Sequence, residues 1–181
     1  MRVYVPVTLA MLQQLVDDGS LRPVNGTAFA VTPTLREAYS DGDDDELADV
    51  ALREAALASL RLIGFDSGET GEAATKELPA RRAVLEADME EGGVEEGVAG
   101  ITLRPDLDDA VVRLAGEVRL NQVIAAYVDN EAAESAVLAA VEAIDAADLG
   151  DEDAELTVGD AQDHDLAWYA PQELQFLLDL L

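Results

Sequence analysis

The stretch DAQDHDLAWYAP at 160–171 holds the only histidine of the chain, His164, among Asp160, Asp163 and Asp165. One imidazole and three carboxylates could form a mixed nitrogen–oxygen metal site. A histidine beside carboxylates also suits metal-dependent or carboxylate-based hydrolysis. The spacing works against a shared centre. Neighbours in an extended segment point to opposite sides, so Asp163 and Asp165 share a side and His164 turns away. With one histidine and no cysteine, the usual ligand set of zinc is missing. The preferred reading is a solvated acidic turn before a buried strand, with no metal and no cofactor.

Other acidic stretches fail as defined sites. A calcium loop needs acids at positions 1, 3 and 5, glycine at 6 and glutamate at 12. Counting from Asp41 gives Asp43 and Asp45 but then Glu46 and Leu52; counting from Asp151 gives Asp153 and Glu155 but then Leu156 and Gln162. Only weak, nonspecific divalent binding is expected of DGDDDE. RPDLDDAVVR gathers Arg104, Asp106, Asp108, Asp109 and Arg113, a candidate polar recognition site. The simpler reading is a turn held by aspartate side chains, with Arg104 paired locally. No serine stands in a G-x-S-x-G elbow, and Lys76 follows no glycine-rich phosphate loop. With 39 acids in the chain, paired carboxylates carry no information about glycoside chemistry. No catalytic residue is assigned.

Aromatic residues mark a candidate interface. Trp168 and Tyr169 are adjacent in an alternating strand, so one ring enters the core while the other faces a helix or solvent. Phe176 lies off the leucine stripe of the last helix. Exposed aromatics anchor interfaces often enough to single out all three.

The net charge of −28 is unevenly spread. All 11 Lys and Arg lie before residue 120; residues 120–181 carry 15 acids and neither Lys nor Arg. Such a surface repels nucleic-acid phosphates and anionic lipid and attracts basic proteins or divalent cations. Genomic bias or adaptation to high salt produces similar acidity. Since 49% of the residues are apolar, a sizeable core can form, and the length suits one domain or two tightly packed halves. No run is long and apolar enough for a membrane-spanning helix. The N-terminal stretch reads as a strand and helix, not a signal peptide. The absence of cysteine favours the cytoplasm.

The elements that must position these residues follow from periodicity and caps. RVYVP at 2–6 is a strand. Thr8 caps a helix to about residue 18, with Leu9, Leu12, Leu15 and Val16 on one face. TAFAV at 27–31 is a second strand. Thr32 and Pro33 then start a helix, and helical periodicity resumes from Glu46 to about Ile63, with Leu47, Val50, Ala51, Leu57, Ala58 and Arg61 on one face. Residues 64–79 read as a mobile loop and 90–100 as a loop or exposed hairpin. Strands fall at 81–89, around RPDLDD with the surer one at 110–115, and from NQVIAAYVD to Asp129. A helix spans 130–147, an acidic connection 148–165. LAWYA is a final strand, and Pro171 opens a helix with Leu174, Leu177, Leu178 and Leu181 at i, i+3, i+4, i+7.

Alternating strands and helices predict an α/β or α+β protein with a mixed sheet of about five to six strands and about five helices. VYVPVTL and AYVDNEA both pass from strand to helix cap, as do FAVTPTL and WYAPQEL. A duplicated pair of halves, 1–89 and 101–181, about a pseudo-two-fold axis is therefore one expectation. RVYVPVTLAMLQQL, GTAFAVTPTLRE, LRPDLDDAVVRLAG and DHDLAWYAPQEL resemble a small family of actinobacterial proteins of unknown function. That resemblance implies a free-standing cytoplasmic protein and supplies no activity or site residue.

The leading expectation is a non-catalytic protein-interaction or regulatory module that binds a basic protein, with a homodimer as one arrangement and no direct contact with nucleic acid or membrane. A hydrolase using the His164 cluster and a nucleic-acid mimic directed at a basic partner are the alternatives.

Overall fold

In the first strand, β1 (Arg2–Val7), every residue from Val3 to Val7 is buried. A strand apolar on both faces must be covered on both, so it belongs in the middle of a sheet. The structure, a computed structural model, describes residues 1–69, 78–89 and 100–181. It places β1 at the centre of a seven-stranded sheet. The other strands are β2 (Ser20–Leu21), β3 (Thr27–Phe29), β4 (Ala83–Asp88), β5 (Ile101–Leu103), β6 (Val111–Leu114), β7 (Val118–Arg119), β8 (Val123–Val128) and β9 (Ala167–Tyr169). The order is β5-β6-β3-β1-β4-β8-β9, with β2 and β7 forming a separate two-stranded ladder.

Every registered pair is antiparallel, which corrects the expected mixed sheet. Alternation of strands and helices along the chain suggests parallel pairing, but the neighbours β1 and β3, and β8 and β9, pair antiparallel although helical segments separate each pair in sequence. The strand count also exceeds the expected five to six. The extra strands, β2, β5 and β7, have only two or three residues each, too few to show an alternation. Pro6 is tolerated inside β1 because of its position. Met89 N–H bonds the Met1 carbonyl at 2.9 Å, so the odd-numbered residues of β1 bond to β4. Pro6 therefore turns its missing N–H towards β3, where the ladder has the single pair Tyr4↔Phe29.

Six α-helices occur among the described residues, one more than expected. They are α1 (Leu9–Asp18), α2 (Pro33–Ala38), α3 (Asp44–Glu69), α4 (Glu134–Asp148), α5 (Glu152–Gln162) and α6 (Leu174–Asp179). Thr8 caps α1 by accepting from Met11 N–H, and Gly19, at φ 77, ends it by donating to the Leu15 carbonyl. Thr32 caps α2 at the Leu35 N–H. The expected loop at 64–79 is corrected at its start, since α3 runs to Glu69; residues 70–77, like the expected loop or hairpin at 90–99, lie outside the described residues. The expected acidic connection at 148–165 is mostly α5. Asp151 caps it at the Ala154 N–H, and its buried stripe, Ala154, Val158 and Ala161, is too small and sparse to stand out as an apolar period.

Three clusters make the core. On one face of the sheet α1 and α6 cover Val3, Val5, Val7, Leu85 and Val128. On the other, α2 and α3 cover Tyr4, Phe29, Val84 and Val111 through Leu35, Leu47, Ala51 and Ala55. The C-terminal half of α3 then packs Leu60 against α4 and α5. Arg61, expected on the buried face of α3, is exposed and pairs with Asp148 of α4 at 2.9 Å. Each leucine of the α6 stripe contributes roughly 1.5–3 kcal/mol by burial, and Leu174, Leu177 and Leu178 are all buried.

Candidate functional site

The His164 turn is fixed by its backbone. Arg82, at the entry to β4, reaches across β8 and donates from Nη2 to the His164 carbonyl at 2.8 Å. The same guanidinium forms a bidentate pair with Asp129, Nε to Oδ2 and Nη2 to Oδ1, both at 2.8 Å. Asp129 Oδ2 also accepts from the Arg82 backbone N–H at 2.8 Å. Both residues are buried, at 3% and 0% side-chain exposure. Ser59 of α3 adds a further tie, donating to the Val7 carbonyl at 2.7 Å and accepting from Ala83 N–H at 3.0 Å. The hydroxyl is inserted as the last rung between β1 and β4.

Asp160 is exposed in the last turn of α5, Asp163 is its C-cap, Asp165 is exposed and His164 is half-buried. Among the described residues no three His, Cys, Asp or Glu side chains gather to hold a metal ion. The second cluster lies elsewhere. Arg104 clamps Asp106 with Nε and Nη2 at 2.9 and 2.7 Å, and this hydrogen-bonded pairing holds the Asp106 carboxyl below its ordinary range. Asp109 offers its carbonyl to the Thr32 hydroxyl, and Asp108 bears on Glu54 of α3. This turn opens β6 and the His164 turn opens β9. Five strand spacings separate those strands, about 24 Å. The fold does not bring the two clusters together.

The three aromatics divide between two sides. Tyr169 packs against the first core cluster. Trp168 pairs across β8 with Tyr127 on the opposite face and is 58% exposed. Phe176 points outward from α6 at 72% exposure, one turn before Leu180 at 85%.

Sequence reasoning passed over a cluster beneath Tyr127. Glu86 is buried in mid-strand, accepts from the Tyr127 hydroxyl at 3.0 Å and pairs with Arg2 Nε at 3.1 Å. Tyr4 lies directly across the ladder from it. Burial, and then the charge of Glu86, push the Tyr4 hydroxyl up to about 12. Tyr127 is raised by burial and by its hydrogen bond to Glu86. Glu54 is raised by burial and then by Asp108. The available signal for Glu86 was an acid inside the apolar run AVLEAD, at the parity of Tyr4 and Val84.

The edge strand β9 has a specific polarity. Asp129 N–H bonds the Arg82 carbonyl at 3.0 Å, so Arg82/Asp129 and Val84/Tyr127 are the hydrogen-bonded pairs of the β4–β8 ladder. Val128 and Ala126 then bond outward, to Ala167 and Tyr169. Trp168 is left with its N–H and C=O directed away from β8, and no further strand is registered beyond β9 among the described residues. Ala170, next on the same outward side, is already engaged: its N–H donates to Glu173 Oε2 at 3.0 Å and its carbonyl accepts from Glu173 N–H at 2.9 Å.

No helix among the described residues is long and apolar enough to cross a membrane. No curated protein and no solved structure matches the chain. A family model does match, over residues 1–178, nearly the whole of the sheet and helices described above, and the chain belongs to that family of unknown function, DUF6912.

Proposed function

We propose that this protein is a non-catalytic interaction module that binds a basic protein segment through its C-terminal third. The observation that carries the reading is the make-up of 120–181. This stretch builds β8, α4, α5, β9 and α6 with 15 acids and no Lys or Arg. Large apolar side chains stand exposed among those acids: Leu138, Leu149, Leu156, Trp168, Phe176 and Leu180. Apolar anchors within a field of one sign suit a partner of opposite charge. A homodimer through the C-terminal third is disfavoured, because like charges would meet on either side of it. The hydrolase alternative has less support, since Asp163, Asp165 and His164 do not converge with a second cluster. Within the same proposal the protein works in the cytoplasm, where a chain without cysteine is unaffected by reducing conditions. An actinobacterial source rests on the sequence resemblance alone.

We further propose that the chain arose by duplication of two halves, 1–89 and 101–181. β1 and β8 flank β4 and run in the same direction, and β3 and β9 lie outside them. α1 covers one face while α4 packs on the side of α3. A two-fold axis along β4 would relate these pairs, with β4 itself on the axis between halves drawn from 1–89 and 101–181.

Titration with a labelled decaarginine peptide in rising sodium chloride tests the binding reading. Micromolar binding at low salt that weakens steadily with ionic strength is expected, with no binding of duplex DNA. Failure to bind the peptide at low salt would remove the reading.

A further inference from the structure

We infer that the open edge of β9 accepts an extended, arginine-bearing segment of the basic partner as an eighth, antiparallel strand, centred on Trp168. The inference rests on the basic-partner reading and adds the place and mode of docking. Three observations support it. The N–H and C=O of Trp168 point out of the sheet, and Leu166 shares that outward parity, so two consecutive sites offer backbone bonds to an incoming strand. Neither lysine nor proline stands within 163–170, so at this edge no cation repels a basic strand and no backbone N–H is missing; the flanking charges are acidic and turn away other acidic edges. The Trp168 indole is more than half exposed and stands on the same face as the side chain that would pair opposite it.

Charge selects the occupant. Asp163, Asp165 and Glu173, all exposed, flank the edge, and nothing in 120–181 neutralises them. A second copy pairing edge to edge would set these acids against their own counterparts. A cationic strand meets them with opposite charge and can lay an arginine guanidinium over the indole, the arrangement in which cation–π attraction acts. The strand would end at Ala170, whose N–H and C=O are taken by Glu173.

The test uses the full chain and a fluorescein-labelled nine-residue peptide alternating arginine and valine. A control peptide of the same charge carries N-methyl groups on its arginine amides, which removes the backbone donors that would face β9. Binding of the plain peptide should weaken about tenfold on N-methylation, the worth of one or two hydrogen bonds. It should weaken about fivefold in Trp168→Ala, the worth of one exposed cation–π contact. That variant keeps the bonds of Ala167 and Tyr169 to β8. If both peptides bind equally, wild type and Trp168→Ala alike, with the same salt dependence, the edge proposal is overturned while the basic-partner reading stands. If neither peptide binds at low salt, both fall. A free-protein dimer in sedimentation that Trp168→Ala dissociates would assign the edge to a second copy and also overturn the proposal.

Discussion

Replacing Asp129 by alanine is the most direct probe of what holds the two C-terminal strands to the rest of the sheet. The carboxylate is fully buried and accepts three bonds from Arg82, all at 2.8 Å. In Asp129→Ala the guanidinium stays buried and, among the described residues, keeps the His164 carbonyl as its acceptor, and the Arg82 backbone N–H loses its side-chain acceptor. Breaking a buried pair by removing one partner costs about 3–5 kcal/mol. A chain of this size loses about 2–4 °C of Tm per kcal/mol, so the melt should fall by about 6–20 °C. Replacing both partners by apolar residues of similar volume, Arg82→Met with Asp129→Leu, should recover much of that loss, because no uncompensated charge remains buried. Urea unfolding followed by far-ultraviolet circular dichroism measures both. A loss below about 1 kcal/mol in Asp129→Ala would show that the pair does not hold these strands, and a double variant no more stable than the single would show that the loss does not come from an uncompensated buried charge.

Three further outcomes follow from the structure. Glu54, raised by burial and by Asp108, favours its protonated form in the fold, so its ionisation costs stability as pH rises; Glu54→Gln should raise Tm at pH 7, and the gain should fade in acid. Tyr4, at about 12 in the fold against 10.0 ordinarily, contributes stability that is present below about pH 10 and lost as pH climbs towards 12; alkaline melts of Tyr4→Phe should be flatter across that window than those of wild type. Deleting 172–181 strips Leu174, Leu177 and Leu178 from the first core cluster and should leave the protein insoluble or without a cooperative melt, as calorimetry would record.

The helices were legible where a cap preceded a broad apolar stripe. Thr8 before Leu9, Leu12 and Leu15, and Thr32 before Pro33, gave α1 and α2 within a residue or two, and the leucines of α6 gave its buried face. α5 was not legible, because alanines and a valine carry its buried side while acids fill its first turn. Strand existence was readable from β1, β4 and β8, which are apolar for most of their length. Pairing was not: nothing local says that β1 lies beside β4, some eighty residues away, or that β6 lies outside β3. The buried groups Arg82, Glu86 and Asp129 were hidden for a related reason. A charge looks solvated in sequence until tertiary pairing supplies its partner, and these partners lie 41 to 84 residues apart.

The position of β1 has a consequence for how the chain is made. β1 leaves the ribosome before the strands it pairs with, yet it occupies the middle of the sheet and its long ladder is with β4 at Ala83–Asp88. β4 in turn stays open on its far side until β8, at Val123–Val128, has emerged. For most of synthesis the nascent chain therefore presents apolar strands with unsatisfied edges. Pairings this distant in sequence make folding slow, on the order of milliseconds to seconds. Throughout that wait the surplus of carboxylates gives neighbouring half-made chains like charge, and the repulsion between them opposes the joining of exposed strand edges.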